Sequence, residues 1–570
     1  MIKIILSERE FDYELHALAV SFFLGQQVKV EIDERLKSQS VETFLNDCYV
    51  VRPDVSITKE EVIAVIICIA FGEKSISAAI RVYELSETSN KVLYEIFDKA
   101  FVTGDKNWHK LEGKVLNPYR TYYKNIVKRL MFNMLEKLNK EVCVQEKLNV
   151  SKFPYKINMK TPVWGTMTGV RPTKIVMNEI MSGKDESHVK SVLKEVYCCS
   201  ENKAELAYNI AARESDLLKK ADYENGYSLY IGIPFCPTTC LYCSFTSYPY
   251  DKFGYLADNY IEALIRELKF LAEISKTDIS VGKKLTSVYI GGGTPTALTD
   301  RQLYRLLSFI SDNFPLGRCY EFTVEAGRPD SITASKLKVL KEFGVKRISV
   351  NPQTMKQSTL ELIGRKHTVK QTIEAFNMAR ENGFDNINMD LIIGLPEETP
   401  KDFHDTLSQI ESLNPDSLTI HSLVVKRASR LGITLDDCKT DTADIERMAG
   451  SMCIDKMLDI GQKFAYSHGY KPYYMYRQKN KAGHFGSSGQ ENIGYAREGK
   501  EGLYNILIME EKQTILAAGA GASTKIYHKG LGQVSRIENV KNVNDYILRV
   551  DEMIARKQSG MEACCYGGLY

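Results

Sequence analysis

The sequence predicts an α/β protein. Its centre is a partial (β/α)6 barrel of TIM type over residues 226–425. An N-terminal α/β domain (1–155) and a helical connector (156–225) precede it, and an α-rich domain (426–570) follows it. Three observations lead there. Between Tyr227 and Val425, six short apolar, β-prone segments alternate with segments of helical period, the rhythm of a parallel sheet or partial barrel. Residues able to carry chemistry fall late in those strands or just after them, where such folds gather their sites. Finally, 570 residues exceed what one hydrophobic core organises, which as a soft prior means about three or four domains.

Composition narrows the function classes. Hydrophobic content of 44% and charged content of 26% are those of an ordinary globular chain. Lys+Arg 75 against Asp+Glu 72 argues against a chain built mainly to bind nucleic acid. The start carries Glu8, Asp12 and Glu14 before any long apolar run, so no secretory signal is read. The most apolar run, Val62 to Gly72, is shorter than the ~20 residues of a membrane span and reads as a buried helix or strand. Thirteen cysteines without an export signal point to a reducing cytoplasm, where clustered cysteines mean metal or redox chemistry.

In chain order, "MIKIIL", "QQVKVEID" and "AAIRVYEL" read as strands of the first domain, and "TYYKNIVKRLMFNMLEKLNKE" as the helix that closes it. Cys48, Cys68 and Cys143 are isolated and read as packing. In the connector, "WGTMTGVRPTK" reads either as an anion-meeting turn or as a capped turn into the next helix. The core strands are "YSLYIGI", "LTSVYIGGG", "YEFTVEAG", "RISVNP", "NINMDLIIGLP" and "SLTIHSLVV", each of the first five followed by a helical segment. A cysteine loop follows the first strand and "GGGTPT" the second. Glu325 ends the third, Gln353 follows the fourth, Asp390 lies in the fifth, and His421 to Val424 lie late in the sixth. Asp390 stands in an apolar strand, so a partner or a function is expected for its carboxylate.

The loop "CPTTCLYC" places Cys236, Cys240 and Cys243 within eight residues. Structural zinc and iron–sulfur clusters both ordinarily take four protein ligands. The following "SFTSY" offers neither Cys nor His. A four-iron cluster held by three thiolates keeps one iron open to a substrate or cofactor; the rival reading is zinc with a remote fourth ligand.

This loop resembles the signature of the radical S-adenosylmethionine (SAM) enzymes. In that family the amino and carboxylate groups of SAM chelate the open iron of a [4Fe–4S] cluster, and reductive cleavage yields a 5'-deoxyadenosyl radical that abstracts hydrogen. From about Tyr227 to Val425, the run Tyr-x-x-x-Pro-Phe-Cys-x-x-x-Cys-x-Tyr-Cys, "GGGTPT", "VEAGRPD", "ISVNPQT", "LIGRKHT" and "NINMDLIIGLP" resemble the oxygen-independent coproporphyrinogen III oxidases, also called coproporphyrinogen dehydrogenases. The N-terminal extension and "WGTMTGVRPTK" are similar to the branch called HemZ.

The resemblance implies a radical SAM barrel with Cys236, Cys240 and Cys243 on the cluster. It implies SAM contacts from Tyr230, Tyr242, Gly292, Gly293, Thr294 and Glu325. Gln353, Arg365 and Asp390 match residues lining a second SAM position, while Val424 and Lys525 fall where the family uses mainly backbone. The cofactors implied are the [4Fe–4S] cluster and one or two SAM. The implied partners are a porphyrinogen substrate and an electron donor such as flavodoxin or ferredoxin, with no nucleic acid and no membrane span. The implied reaction turns two propionates of coproporphyrinogen III into vinyl groups, giving protoporphyrinogen IX. Two positions depart from the enzymes: Phe245 stands where they carry a further Cys, and Gly232 where they carry His. The aromatic at Phe245 is similar to the haem-chaperone relatives, so a haem chaperone is one alternative and a radical SAM enzyme on another substrate, such as an RNA base, is a second.

In the last segment, Lys426, Arg427, Arg430, Arg477 and Lys479 are candidates to meet propionates, or a solvated surface. Tyr473, Tyr474 and Tyr476 either stack on a macrocycle or pack, and "LIMEEKQTILAAGAGAST" reads as a helix running into a glycine-rich turn.

Overall fold

The computed structural model describes residues 1–566 apart from 24–25, 49–62, 73, 86–89, 104–117, 149–156, 158, 244–246, 277–282, 424–452, 479–490 and 531. The chain forms two compact units, Met1–Tyr208 with Arg477–Gln490 and Asn209–Tyr476 with Glu491–Tyr570.

The first unit contains a five-stranded sheet in the order β2-β1-β3-β4-β5, with β1 Ile2–Leu6, β2 Val28–Ile32, β3 Ile63–Phe71, β4 Ser75–Leu85 and β5 Asn90–Phe101. The apolar run at Val62 resolves as the central strand β3, parallel to β1 on one side and antiparallel to β4 on the other. Being covered on both sides, it reads as continuously hydrophobic. Strand β5 lacks that run and alternates apolar with charged residues, so it escaped the sequence reading. The closing helix spans Pro118–Leu148, and its Tyr123 stacks on Phe11 at 6.0 Å.

The second unit holds an eleven-stranded sheet. Its centre is the predicted series, β6 Gly226–Ile233, β9 Lys284–Gly292, β10 Glu321–Gly327, β11 Arg347–Val350, β12 Ile387–Ile393 and β13 Ser417–Ser422, side by side in that order and all parallel. The intervening two-residue strands β7 Phe235–Cys236 and β8 Tyr248–Pro249 pair only with each other. The helices Asp300–Asn313, Val369–Glu381 and Pro400–Leu413 each start from a capping box, at Thr299, Thr368 and Thr399. Such caps satisfy the first free amides and are worth about 1 kcal/mol each.

The segment expected to be α-rich supplies helices and also extends the sheet. Beyond β13 come β15 (Glu491–Ala496, antiparallel) and β14 (Lys471–Arg477). Beyond β6 come β16 (Thr514–Ala518, parallel), β17 (Ser523–His528) and β18 (Gln533–Glu538). The stretch expected as one helix ends at Glu510, and Glu511 turns left-handed at φ 52°. "TILAA" then becomes a fully buried strand against β6. Tyr473 and Tyr474 are buried within this added sheet.

A buried ionic network fastens the C-terminal helix Val550–Tyr566 to the helix Ala257–Ile274. Lys557 Nζ lies 2.6 Å from Glu267 Oε1, both side chains fully buried. Glu267 also accepts from the Gly519 amide at 2.9 Å, Tyr546 Oη at 2.5 Å and Asn539 Nδ2 at 2.8 Å. Among the described residues, no helix is long and apolar enough to cross a membrane.

Candidate active site

All the site residues described here lie in the second unit. The cysteine loop leaves β6 and is pinned at its base, where the Tyr248 amide donates to the Pro234 carbonyl at 2.8 Å. Farther out, the Leu241 amide donates to the Ile363 carbonyl at 3.1 Å, and the Cys243 amide closes a turn on the Cys240 carbonyl at 3.2 Å. Thr294 Oγ1 donates to Cys236 Sγ at 3.5 Å. Burial pushes the Cys236 thiol up to about 11, with the Thr294 bond opposing and the other two thiols adding. Unless a metal displaces its proton, that thiol is protonated at neutral pH.

The glycine-rich stretch shapes this loop. Gly292 has φ +103°, which favours glycine. A Cβ on Gly293 would lie 2.6 Å from the Phe235 carbonyl oxygen and 3.1 Å from Cys236 Sγ. The Gly293 and Thr294 amides donate to the carbonyls of Ile233 (2.6 Å) and Phe235 (2.7 Å). The bare backbone here therefore presses against the cysteine loop and holds it.

Tyr230 lies over Tyr504 at 5.9 Å and Tyr289 at 6.4 Å, and those two stack on each other at 4.3 Å. Tyr289 also donates to Glu325 Oε1. Burial, with Asp390 adding, raises the Glu325 carboxyl to about 7 against the opposing bonds from Tyr289 and the Gly292 amide. Gly291 is small for the same reason, since a Cβ there would lie 2.8 Å from Glu325 Oε2.

Gln353 is held at φ +68° by a parallel bridge to β12. Its amide donates to the Asp390 carbonyl at 3.0 Å, and its carbonyl accepts from Ile392 at 2.9 Å. A left-handed non-glycine residue costs roughly 1–3 kcal/mol and is kept only where its surroundings fix it. Its Oε1 is buried without a hydrogen-bond partner. Asp390 accepts from Asn388 Nδ2 at 2.7 Å, and His421 Nε2 stands 3.9 Å away. Burial would raise this carboxyl, but nearby His421 and the bond from Asn388 outweigh it and hold it low.

Arg365 and His367 are buried at 7% and 0% exposure. Arg365 Nη1 donates to the Asn351 carbonyl at 2.6 Å, its Nε has no partner, and its charge lies beside Tyr242 and Cys240. Tyr242 packs on an apolar patch of Ile363, Ile392, Leu395 and Leu423.

The structure thus gathers Tyr230, Tyr242, the glycines, Thr294, Glu325, Gln353, Arg365 and Asp390 around the end of the parallel run. Lys525 lies on β17: its Nζ reaches the Ile508 carbonyl and Glu511, and its backbone pairs with Ile515, which packs with Tyr230, Tyr289 and Tyr504. Arg477 in the first unit donates to the carbonyls of Val170 and Met167 and lies 5.5 Å over Trp164. Val424, Lys426, Arg427, Arg430, Lys479 and Phe245 lie outside the described residues. Sequence reasoning missed Tyr289 and the contact of Arg328 with Cys240. Tyr289 carried a signal, since it precedes Gly291 by two and so shares its face of the strand.

Among the described residues, no three His, Cys, Asp or Glu side chains stand close enough to hold a metal as they are. The donor set nonetheless fits a cluster and SAM. Three thiols share one pinned loop with Arg365 beside it, and two buried polar atoms, Gln353 Oε1 and Arg365 Nε, lack partners.

The family model of the radical SAM superfamily matches residues 230–410. The oxygen-independent coproporphyrinogen-III oxidase-like protein HemZ of Bacillus subtilis is 39% identical over 408 residues, 70% of this chain and 77% of its own. The chain belongs to the radical SAM superfamily, in its HemZ-like group. With that membership come the family's cofactors, a [4Fe–4S] cluster and SAM. This HemZ-like chain is also similar to the haem chaperone HemW of Bacillus subtilis, at 33% identity over 58% of this chain and 76% of that one. Among solved structures, coproporphyrinogen III oxidase HemN from Escherichia coli aligns at TM-score 0.44 and 24% identity, over 60% of this chain and 73% of its own.

Proposed function

We propose that the chain oxidatively decarboxylates two propionates of coproporphyrinogen III to vinyl groups, giving protoporphyrinogen IX. The observation that carries the radical SAM part is the convergence, at one end of the parallel run, of the cysteine loop, Glu325, and the unpartnered Gln353 Oε1 and Arg365 Nε. The substrate is supported by the names of the HemZ and HemN relatives. When bound, the cluster and SAM supply the radical that removes a hydrogen atom from the propionate β-carbon; carbon dioxide and one electron then leave.

In this scheme Cys236, Cys240 and Cys243 hold the cluster, and Glu325 accepts from an amine N–H of SAM. Gln353, Arg365 and Asp390 line a second SAM position, where Arg365 can hold a carboxylate. The patch around Tyr242 excludes water from that end. A flavodoxin or ferredoxin delivers the electron, in the cytoplasm.

One observation favours a second reading, a haem chaperone. Phe245 replaces the further cysteine of the oxidases, and the sequence comparison fits this: in sequence, HemW aligns over 58% of this chain and the Escherichia coli oxidase over 35%. One anaerobic experiment separates the two. The reconstituted chain is mixed with SAM, a strong reductant and coproporphyrinogen III, and porphyrin mass and 5'-deoxyadenosine are followed together. Stepwise loss of two carboxyl groups with matching deoxyadenosine is expected. Tight haem binding with neither product would refute the oxidase and favour the chaperone.

A further inference from the structure

We propose that Arg328 and Asp330 form a charge pair that sets the reduction potential of the cluster through the sulfur of Cys240. This rests on the reading that the three cysteines hold an iron–sulfur cluster.

Arg328 follows directly on β10, and its backbone is fixed on both sides. Its amide donates to the Ala326 carbonyl at 2.7 Å, and its carbonyl accepts from the Ser331 amide (3.0 Å) and hydroxyl (2.8 Å). The side chain is only 3% exposed. Nη1 lies 3.6 Å from Cys240 Sγ and 3.4 Å from the Thr238 carbonyl. The other edge of the guanidinium meets Asp330 as a fork, Nε to Oδ1 at 2.9 Å and Nη2 to Oδ2 at 2.6 Å. One guanidinium therefore spans a cysteine sulfur and a carboxylate, a geometry that a planar five-donor group can provide and an ammonium cannot.

The neighbours leave these charges largely in control. His367 is fully buried, neither ring nitrogen has a hydrogen-bond partner, and burial together with Arg365 and Arg328 holds it low, at about 3, so it is neutral. Arg365 is the other cation beside Cys240, and it belongs to the SAM-contact set already described. Arg328 has no such assignment.

Cluster potentials respond to net charge and to hydrogen bonds on the sulfurs. Reduction adds one negative charge to the cluster. A buried cation beside one of its sulfurs favours the reduced form, and an anion behind that cation opposes it, with little screening by salt. Removing the two charges one at a time must therefore move the potential in opposite directions, which loss of packing alone cannot do.

The test uses the full chain with its cluster reconstituted anaerobically. Iron and sulfide content are measured first, and the midpoint potential is then followed by paramagnetic resonance. Arg328→Gln is expected to lower the potential and Asp330→Asn to raise it, each by at least a threefold change in the oxidised-to-reduced ratio at fixed applied potential. Arg328→Lys is expected to fall between Arg328→Gln and the natural protein. Equal potentials throughout, or shifts of one sign in both variants, would overturn the proposal. If Arg328→Gln retains no cluster, Asp330→Asn decides alone: an upward shift supports the pair, while no shift or a downward one overturns it. A natural chain that takes up no cluster overturns this inference and the proposed function together, whereas an intact cluster without opposed shifts overturns the inference only.

Discussion

In the proposed scheme Glu325 makes the cofactor site sensitive to pH, and its direction follows from its surroundings. Burial raises the carboxyl from 4.5 to about 7 in the folded chain. Half of the molecules then carry a proton on Glu325 at neutral pH. A carboxylate accepts from an amine N–H, and a protonated carboxyl does so poorly. A group titrating near 7 is about nine-tenths ionised at pH 8 and about one-tenth at pH 6, so affinity for SAM should fall about tenfold over that interval. The same shift acts on stability with its own sign. The folded chain binds this proton more tightly than the unfolded one, so the contribution is fully present below pH 4.5 and is lost as pH rises through about 7. The loss amounts to about 3 kcal/mol at most. Titration of SAM into the reconstituted chain at pH 6, 7 and 8, beside Glu325→Gln, measures the first effect. The variant should bind weakly at every pH and lose the tenfold trend. A pH-independent affinity in the natural chain, or the same trend in the variant, would refute the assignment of Glu325.

Cys240→Ala should abolish both iron–sulfur absorbance and activity; intact absorbance would remove the cluster assignment. Gly293→Ala places a Cβ 2.6 Å from one backbone carbonyl and 2.8 Å from another, so the loop must shift and iron content after reconstitution should fall by more than half. Lys557→Met strands the buried Glu267 carboxylate and should cost about 3–5 kcal/mol in urea unfolding, with much of that regained when Glu267→Gln is added.

Much of this site was readable because its signals are local. The cysteines lie in one loop, and the strand ends that carry Glu325 and Asp390 follow the β–α rhythm. What escaped is pairing between distant segments. Arg328 and Cys240 are 88 residues apart, and the quoted "VEAGRPD" says nothing of which sulfur its arginine meets. Burial of Arg365 and His367 was equally hidden, because charge and loop position suggest solvent while both side chains are buried, Arg365 on the Asn351 carbonyl and His367 beside Arg328 and Asp330. The strands at the end of the chain were lost for a related reason. "TILAA" follows a helix and precedes glycines, so its local pattern permits a longer helix, and only the open edge of β6 makes it a strand.

The two readings of the porphyrin chemistry meet at Gly232, where the oxidases of the family carry His. Packing does not demand glycine there. A Cβ would meet the Ala518 carbonyl at 3.5 Å and Tyr230 at 3.6 Å, ordinary contact distances. The Gly232 carbonyl accepts from Tyr260 Oη at 2.6 Å, a bond that any residue could make. The backbone contacts thus leave room for a Cβ at this position. In the proposed scheme the other cluster and SAM positions are unchanged, and Gln353 Oε1 and Arg365 Nε are buried without partners, which is costly unless a ligand uses them. Under the proposed function, the departures at Gly232 and Phe245 concern the porphyrin chemistry rather than the positions proposed to hold the cluster and SAM.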